Sequence, residues 1–186
     1  MVKAIVLTEK LPTVLKSLND EQKANAAVAL ILIPTSNDVE LLIVRRATRR
    51  ADPWSGQMAL PGGKREKNDE NLRATVARET YEETGINLRE GTFIGVLSAV
   101  QSVPRKDLVI LPYVVMLEKE PQVCLNSELD AFMWVQYEKI VKTKGKTVES
   151  GFGEVSAFLV DNSVVWGITY GILQDFFSIV EAVKNK

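Results

Sequence analysis

Residues 62–86 constrain the fold of this chain more than any other segment, because they join a pair of glycines to a single helix. Asn68 and Asp69 are residue types that cap the start of a helix, and Gly85 is the type that ends one, here near Thr84. One face of this helix can pack against the protein through Leu72, Val76 and Thr80. The segment therefore predicts a helix that lies on a larger core and turns its acidic residues outward.

Three glutamates occupy the other face of this helix. Glu79, Glu82 and Glu83 are spaced i, i+3 and i+4, so their carboxylates lie side by side and repel one another. Converging carboxylates suit hard cations such as Mg²⁺ or Mn²⁺, and the glycine pair lets a backbone carbonyl approach the same ion. The alternative is a solvated acidic face paired with Arg78, which is the more common explanation of an isolated pattern of this kind. The pattern alone leaves both interpretations open.

The rest of the chain mixes β-type runs with two further helices. Apolar runs at residues 24–33 and 39–44 flank a turn-rich segment at 34–38 and predict a β-hairpin. Further strands are expected at residues 92–100, 108–117, 131–136, 145–149 and 154–165, the last one broken at Asp161 and Asn162. Helices are expected at residues 5–19, with Thr8 as N-cap and Pro12 in the first turn, and at 166–184. Residues 45–61 are expected to be irregular. This order predicts one α/β domain over residues 1–186 with a mixed sheet.

The composition excludes several kinds of active site. The chain has 186 residues and no histidine, which removes Ser-His-Asp triads and HExxH zinc sites. Its one cysteine, Cys124, cannot form an internal disulfide or a cysteine zinc site, and it is interpreted as structural. A net charge of −1 argues against nucleic-acid or membrane-surface binding, and no signal or membrane-spanning run is evident. We therefore expect a cytoplasmic protein, which as an enzyme would have to use carboxylates, Lys or Tyr bases, hydroxyls or a hard metal.

Residues 78–86 (RETYEETGI), preceded by residues 60–64 (LPGGK), resemble the signature of the Nudix hydrolases. In that family a glycine, a spaced acid and an Arg-Glu…Glu-Glu run form a loop–helix–loop metal site. Thr80 replaces the usual apolar residue, and the spaced acid is Asp69 when counted from Gly63 or Glu70 when counted from Arg78. The resemblance implies a Nudix-type α/β/α sandwich with a central mixed sheet, a Nudix box at about residues 62–86, and Mg²⁺ or Mn²⁺ as cofactor.

The same resemblance implies a role for each residue of the box. Four groups are expected to ligate the metal: the carboxylates of Glu79, Glu82 and Glu83 and the carbonyl of Gly62. Arg78 is expected to orient the carboxylates, with a plain surface salt bridge as the alternative. Family members often recruit another acid from a downstream loop. Glu128, which precedes a tryptophan-containing strand, is the candidate base or ligand here, with an exposed loop acid as the alternative.

Three features resemble the coenzyme A pyrophosphatase branch of that family. There is one extra residue between the glycine pair and Arg78, residues 41–46 and 56–63 resemble the branch's LLxxR…GxxxFPGG motif, and residues 165–169 (VWGIT) resemble the start of its last helix. One departure is that Trp54 stands where the branch usually has a histidine. The substrate therefore does not follow from the motif.

Basic and aromatic residues near the box are the candidates for substrate binding: Arg45, Arg46, Arg49, Arg50, Trp54, Lys64 and Arg65. Arginines suit phosphate because they bind it with two parallel hydrogen bonds, although two of the four at 45–50 are alternatively solubilising charges. Trp54 is expected either to stack on an adenine or a pantetheine chain or to anchor its own loop. Arg105 and Lys106 form a further phosphate candidate of lower weight.

The resemblance implies a pyrophosphohydrolase dependent on Mg²⁺ or Mn²⁺ that splits coenzyme A or acyl-CoA into 3′,5′-ADP and (acyl-)4′-phosphopantetheine. Water attacks in line, and Glu128 or a box glutamate takes its proton. The alternatives are hydrolysis of ADP-ribose, NADH or a dinucleoside polyphosphate, or nucleotide binding without catalysis. Since many relatives are dimers, a homodimer is also expected.

Overall fold

A computed structural model describes residues 9–36, 38–50, 54–149 and 151–184 of the chain. Eight strands form one large sheet: β1 Ala26–Pro34, β2 Val39–Arg46, β3 Met58–Ala59, β4 Gly62–Lys64, β5 Thr92–Val96, β6 Val100–Gln101, β7 Val109–Met116 and β8 Leu129–Gln136. Three more strands form a second sheet: β9 Lys144–Glu149, β10 Gly153–Val160 and β11 Ser163–Trp166. The helices are α1 Leu11–Val14, α2 Leu72–Thr84, α3 Tyr137–Val141 and α4 Gly167–Lys184, with a 3-10 turn at Leu88–Glu90.

Strand β1 lies at the centre of the large sheet. It runs parallel to β7 on one side. On its other side it pairs antiparallel with β4 at its start and with β2 at its end. The sheet is therefore mixed, as the sequence predicts, and β4 is held beside the first residues of β1. This pairing brings the glycine pair at residues 62–63 onto the edge of a rigid sheet.

Alternate residues of β1 pack into two separate cores. Leu30 and Leu32 point to the side covered by α4 and the second sheet, whereas Ala29 and Ile31 point to the side covered by α2. All four are fully buried. Successive side chains of a strand face opposite ways, so an uninterrupted apolar run is what a strand buried on both faces requires. The result is the expected α/β/α sandwich, with α2 and α4 on opposite faces.

The strand predictions are largely confirmed, including the hairpins β1–β2 and β10–β11. Asn37, within the first predicted turn, lies outside the described residues. The predicted strand at 92–100 is divided into β5 and β6, and β2 and β3 enter the segment at 45–61 that was expected to be irregular. Helix α3 has no counterpart in the predictions. Its five residues are too few for a periodic apolar pattern to be recognised.

Two predictions about helix ends are wrong. The first helix ends at Val14, because Lys16 leaves it to pair with Val96 through two backbone hydrogen bonds of 3.1 Å. Thr8, its expected cap, lies outside the described residues. Helix α2 is capped by Asn71, whose side chain accepts a hydrogen bond from the N–H of Ala74, and not by Asn68 or Asp69.

Within the described part of the chain, no helix is long and apolar enough to cross a membrane.

Candidate active site

Gly62 holds β4 against β1 in a conformation that favours glycine. Its φ is +141°, and a Cβ at this position would lie 2.2 Å from the carbonyl oxygen of Ala27. The close approach directs its backbone N–H at α2, where it donates a 2.8 Å hydrogen bond to Oε2 of Glu83. The first glycine of the pair therefore fixes one carboxylate of the box. This hydrogen bond involves the N–H of Gly62 and does not test its carbonyl, so the metal-ligand role of the carbonyl stays a prediction.

Gly63 makes room for a second carboxylate. A Cβ on this residue would lie 2.5 Å from Cδ of Glu79 and 2.6 Å from its Oε2. Any other residue would force the Glu79 carboxylate away from the loop. Gly62 therefore holds Glu83 by a hydrogen bond, and Gly63 leaves space for Glu79.

Glu83 is buried, although it belongs to the face expected to point outward. Only 5% of the residue is exposed, and its burial raises its pKa from 4.5 to about 7. The charges of Glu79 and Glu128 also raise this pKa, whereas the Gly62 N–H and the charge of Arg46 lower it. The burial of Glu83 therefore distinguishes this helix face from a fully solvated acidic surface.

Arg78 ties the acidic residues of the box together. Its guanidinium donates two hydrogen bonds to Asp69, of 3.0 and 2.8 Å, and reaches Glu79 at 2.9 Å and Glu82 at 3.1 Å. A further bond of 3.3 Å goes to the carbonyl of Lys64 in the loop. The spaced acid that meets Arg78 is therefore Asp69, whose pKa the Arg78 guanidinium holds well below its usual range.

The hydrogen bonds of the Asp69 carboxylate explain why this residue does not cap α2. Besides Arg78, its carboxylate accepts hydrogen bonds from the hydroxyl of Thr75 and from the backbone N–H of Glu66. The side chain is only 7% exposed. With its oxygens engaged in this way, Asp69 joins the loop to the middle of α2 and leaves the capping position to Asn71.

Glu79 and Glu82 are more exposed than Glu83. Their side chains are 20% and 53% exposed, and burial together with the charges of Glu82 and Glu128 raises the pKa of Glu79. As the side chains stand, no group of three acidic or cysteine side chains in the described ranges encloses a metal position. Glu83 is bound to Gly62, while Glu79 and Glu82 both turn to Arg78. The donor set nevertheless fits a hard cation, since these oxygens carry mutually repelling, partly buried charge.

The loop that carries Glu128 is fastened to the end of α2. The N–H groups of Cys124 and Asn126 donate to the carbonyls of Thr84 and Glu83 at 2.8 and 3.0 Å, which satisfies the free end of the helix. Asn126 then accepts the N–H of Glu128 through its side chain. This contact places the Glu128 carboxylate where its charge raises the pKa of both Glu79 and Glu83. Glu128 is exposed, and its role as base stays a prediction.

The four arginines at 45–50 lie in different environments. Arg46 is partly buried beside the box, where its charge lowers the pKa of Glu83. Arg45 forms a 2.6 Å ion pair with Asp130, and Arg49 donates a 2.8 Å bond to the carbonyl of Ser127. Arg50 is exposed. The charge of Arg46 thus acts on a glutamate of the box, and the substrate-binding role of all four arginines stays a prediction.

Lys64 and Arg65 face different surroundings. Arg65 donates hydrogen bonds to the carbonyls of Asp69 and Glu70 and pairs with Glu21 at 3.5 Å, so it fastens the loop before α2. Lys64 is exposed and lines a cavity beside the box. Neither placement tests their expected contact with substrate.

A cavity of about 610 Å³ opens beside the glycine pair. It extends from Gly62, Gly63 and Lys64 to Phe152 and Trp166 of the second sheet, and its lining is mainly apolar. Trp54 lines it and packs against Ala26, Leu108 and Ile110, while Asp52 and Pro53 before it lie outside the described residues. The contribution of Phe152 was not predicted, because a lone aromatic residue in a glycine-rich turn carries no sequence signal for a cavity.

The VWGIT segment joins the last helix to this cavity. Thr169, in the first turn of α4, donates a 3.1 Å hydrogen bond to the carbonyl of Met58 in β3, and both residues line the cavity. This buried bond fixes the start of α4 to the edge of the large sheet. The sequence signal at residues 165–169 therefore marks a junction between the two sheets.

Comparison with known proteins agrees with this geometry. The family model for the NUDIX domain matches residues 23–153. Nudix hydrolase 15 of Arabidopsis thaliana mitochondria is 24% identical over 168 residues, which are 83% of this chain and 58% of that protein. A peroxisomal coenzyme A diphosphatase of Caenorhabditis elegans is 31% identical over 105 residues, covering 55% of this chain and 43% of the relative. The chain spans between 20% and 58% of the length of such curated relatives.

Solved structures show the same fold. A Nudix hydrolase from M. smegmatis superposes with a TM-score of 0.58 at 15% identity, covering 86% of this chain and 87% of that one. The NUDIX domain of Shewanella oneidensis NrtR, solved with ADP ribose, gives 0.54 at 16% identity and covers 98% of both chains. At these identities the likeness concerns the arrangement of the elements alone.

Proposed function

This chain belongs to the Nudix family, and on that premise we propose that it is a divalent-metal-dependent pyrophosphohydrolase of coenzyme A and acyl-CoA. The observation that carries the proposal is the position of the cavity. It begins at the glycine pair that holds Glu79 and Glu83, and it leads away from the box along apolar walls. A diphosphate held at the box would therefore direct one of its two substituents into a largely apolar space.

Different residues at the box would bind the metal and the diphosphate. Glu79, Glu82 and Glu83 would hold Mg²⁺ or Mn²⁺, which neutralises diphosphate charge and favours attack by water at phosphorus. Arg78 would keep these carboxylates together from the side of Asp69 and the loop, to which its other hydrogen bonds are made. Arg46 and Lys64 line the cavity next to the glycine pair, where their positive charges suit phosphate oxygens.

Two carboxyl groups are available to take the proton of the attacking water. Glu128 lies on the loop that is hydrogen-bonded to the end of α2, and a glutamate of the box is the alternative. The reaction forms one P–O bond from water and breaks one P–O bond of the diphosphate. The leaving phosphate keeps the bonding electron pair, and the products are 3′,5′-ADP and (acyl-)4′-phosphopantetheine.

A second candidate is hydrolysis of ADP-ribose, NADH or a dinucleoside polyphosphate. Trp54, at the position of the missing histidine, favours it because its ring lines the cavity and can stack on a second base. Nucleotide binding without catalysis is the third candidate, and the complete set of three glutamates argues against it. The expected cytoplasmic location and homodimer stay predictions.

The deciding experiment incubates the purified chain with Mg²⁺ or Mn²⁺ and separately with coenzyme A, acetyl-CoA, ADP-ribose, NADH and diadenosine polyphosphates. Products are identified by mass, and Glu82→Gln is the inactive control, because its exposed side chain can be changed with little effect on packing. We expect 3′,5′-ADP from coenzyme A compounds at the highest kcat/KM. Faster cleavage of another compound would transfer the assignment to the second candidate, and no cleavage at all would favour the binding protein.

A further inference from the structure

Strand β8 forms one edge of the large sheet. Among the described strands it pairs only with β2, which occupies one of its two sides. An open strand edge presents a row of N–H and C=O groups that can pair with another chain, and proteins usually protect such edges. The eight residues of β8 make an edge about 26 Å long. This length is sufficient for β8 to pair with a further strand.

The other strand edges in the described part of the chain are short or protected. At the opposite edge of the large sheet, β6 has two residues, and β5 has five and pairs with Lys16. In the second sheet β11 has four residues, and β9 carries Lys144 and Lys146, a residue type that opposes edge pairing. Strand β8 has no lysine and no proline. Its one charged residue, Asp130, forms a 2.6 Å ion pair with Arg45.

The hydrogen bonds of β2 show which residues of β8 face the open edge. Arg46 exchanges its backbone hydrogen bonds with the segment that leads into β3, on the side away from β8. Successive residues of a strand bond to opposite sides, so Arg45 bonds towards β8, where it lies opposite Ala131. The same alternation along β8 directs the backbone N–H and C=O groups of Phe132 and Trp134 to the open edge.

We propose that β8 pairs antiparallel with β8 of a second copy of this chain, so that the two large sheets join into one. A twofold axis beside Met133 places Phe132 opposite the partner's Trp134 and Trp134 opposite the partner's Phe132. Aromatic pairs across antiparallel strands stabilise the pairing, and Phe132 is 41% exposed before the pair forms. The same surface of each copy meets itself, which is the geometry of a closed dimer.

The charges along β8 favour this register. Asp130 lies opposite the partner's Gln136, so the two Asp130 carboxylates lie at opposite ends of the paired segment, about 20 Å apart. Salt screens charges over about 8 Å, and the two carboxylates therefore do not repel each other. An axis beside Phe132 would instead place each Asp130 opposite the partner's Trp134. An axis beside Trp134 would pair only residues 132–136.

Sedimentation equilibrium of the full chain over a series of concentrations tests the proposal, because it gives the dissociation constant of the dimer. Phe132→Lys should raise this constant at least about tenfold, since each dimer loses two aromatic pairs and gains two lysines at the edge. Phe132→Pro should raise it as well, because it removes an outward N–H and leaves the hydrogen bonds to β2. Val148→Lys is the matched control, at an apolar residue 78% exposed on β9, and should leave the constant unchanged.

A disulfide tests the register. Cys124 is exposed and is first replaced by serine. In this background Met133→Cys should give a covalent dimer on mild oxidation, because residues directly opposite across the axis have Cβ atoms about 4.5–5.5 Å apart. Ala131→Cys is the control two residues away on the same strand. It should not crosslink, because the two copies of this residue would lie about 13 Å apart along the strands.

The supporting result is a dimer that Phe132→Lys and Phe132→Pro weaken, that Val148→Lys does not, and that crosslinks at Met133→Cys. A wild-type protein that is monomeric at every concentration would overturn the proposal. A dimer that Val148→Lys weakens more than Phe132→Lys would overturn it too, as would equal crosslinking at the two cysteine positions or crosslinking at neither. None of these measurements involves substrate, so their outcome is independent of the proposed function.

Discussion

Replacing Glu83 by glutamine should change how the stability of the metal-free protein depends on pH. The folded protein raises the pKa of Glu83 from 4.5 to about 7, so between these values it binds more protons than the unfolded chain. The free energy of unfolding therefore falls as the pH rises through this window. At 1.36 kcal/mol for each pKa unit, the carboxylate costs the folded state ~3 kcal/mol above pH 7.

The Glu83→Gln variant should lose this cost. Glutamine has nearly the same shape, and its carbonyl oxygen can still accept the hydrogen bond from the Gly62 N–H. In EDTA at pH 8 the free energy of unfolding of the variant should therefore exceed that of the wild type by ~3 kcal/mol. The two free energies should converge near pH 4. For a chain of this length, such a difference raises Tm by roughly 6–12 °C.

Urea unfolding followed by circular dichroism, between pH 4 and pH 8 in EDTA, measures the effect. Glu154→Gln, at an exposed glutamate of β10 paired with Lys146, is the control and should follow the wild type. Added Mg²⁺ should stabilise the wild type at pH 8 more than the Glu83→Gln variant, because the variant lacks one ligand charge. A wild-type stability that stays flat or rises from pH 5 to pH 8 would refute the reasoning, as would a variant with the same pH dependence.

Three further predictions concern the loop and the helix. Gly63→Ala should lower kcat at least about 100-fold with the fold retained, since its Cβ would displace the Glu79 carboxylate; steady-state kinetics and circular dichroism test both parts. Asp69→Asn should weaken the contacts of Arg78, lowering the free energy of unfolding by about 2 kcal/mol in urea and kcat about tenfold. Asn71→Ala should cost about 1 kcal/mol of stability through the lost cap and leave kcat within twofold, so a large loss of activity would contradict a purely structural role.

Features of the fold with a local cause could be predicted from the sequence. The end of α2 follows from Gly85, whose φ of +72° is the left-handed conformation that glycine adopts readily. The β1–β2 hairpin follows from two apolar runs around a short polar turn. The two faces of β1 follow from its uninterrupted apolar sequence, because such a strand has to be covered on both sides.

Features with a distant cause could not be predicted in this way. The first helix ends early because Lys16 pairs with Val96, eighty positions along the chain, and no local pattern contains that partner. Asp69 does not cap α2 because Arg78 engages its carboxylate, a contact that forms only once the loop folds back on the helix. The wall of the cavity at Phe152 depends on how the second sheet packs, which local propensity does not specify.

The three glutamates of the box differ in burial and in contacts, although they are the same residue type. The spacing of Glu79, Glu82 and Glu83 predicts a shared face, and on an isolated helix the three would be nearly equivalent. The loop makes them different, because Gly62 donates an N–H to the innermost glutamate and Gly63 has no Cβ to exclude the next. Glu82, which has neither contact, stays exposed. The glycine pair therefore determines which glutamates lie against the loop, and a change at Gly63 should affect catalysis through Glu79 and not through the loop itself.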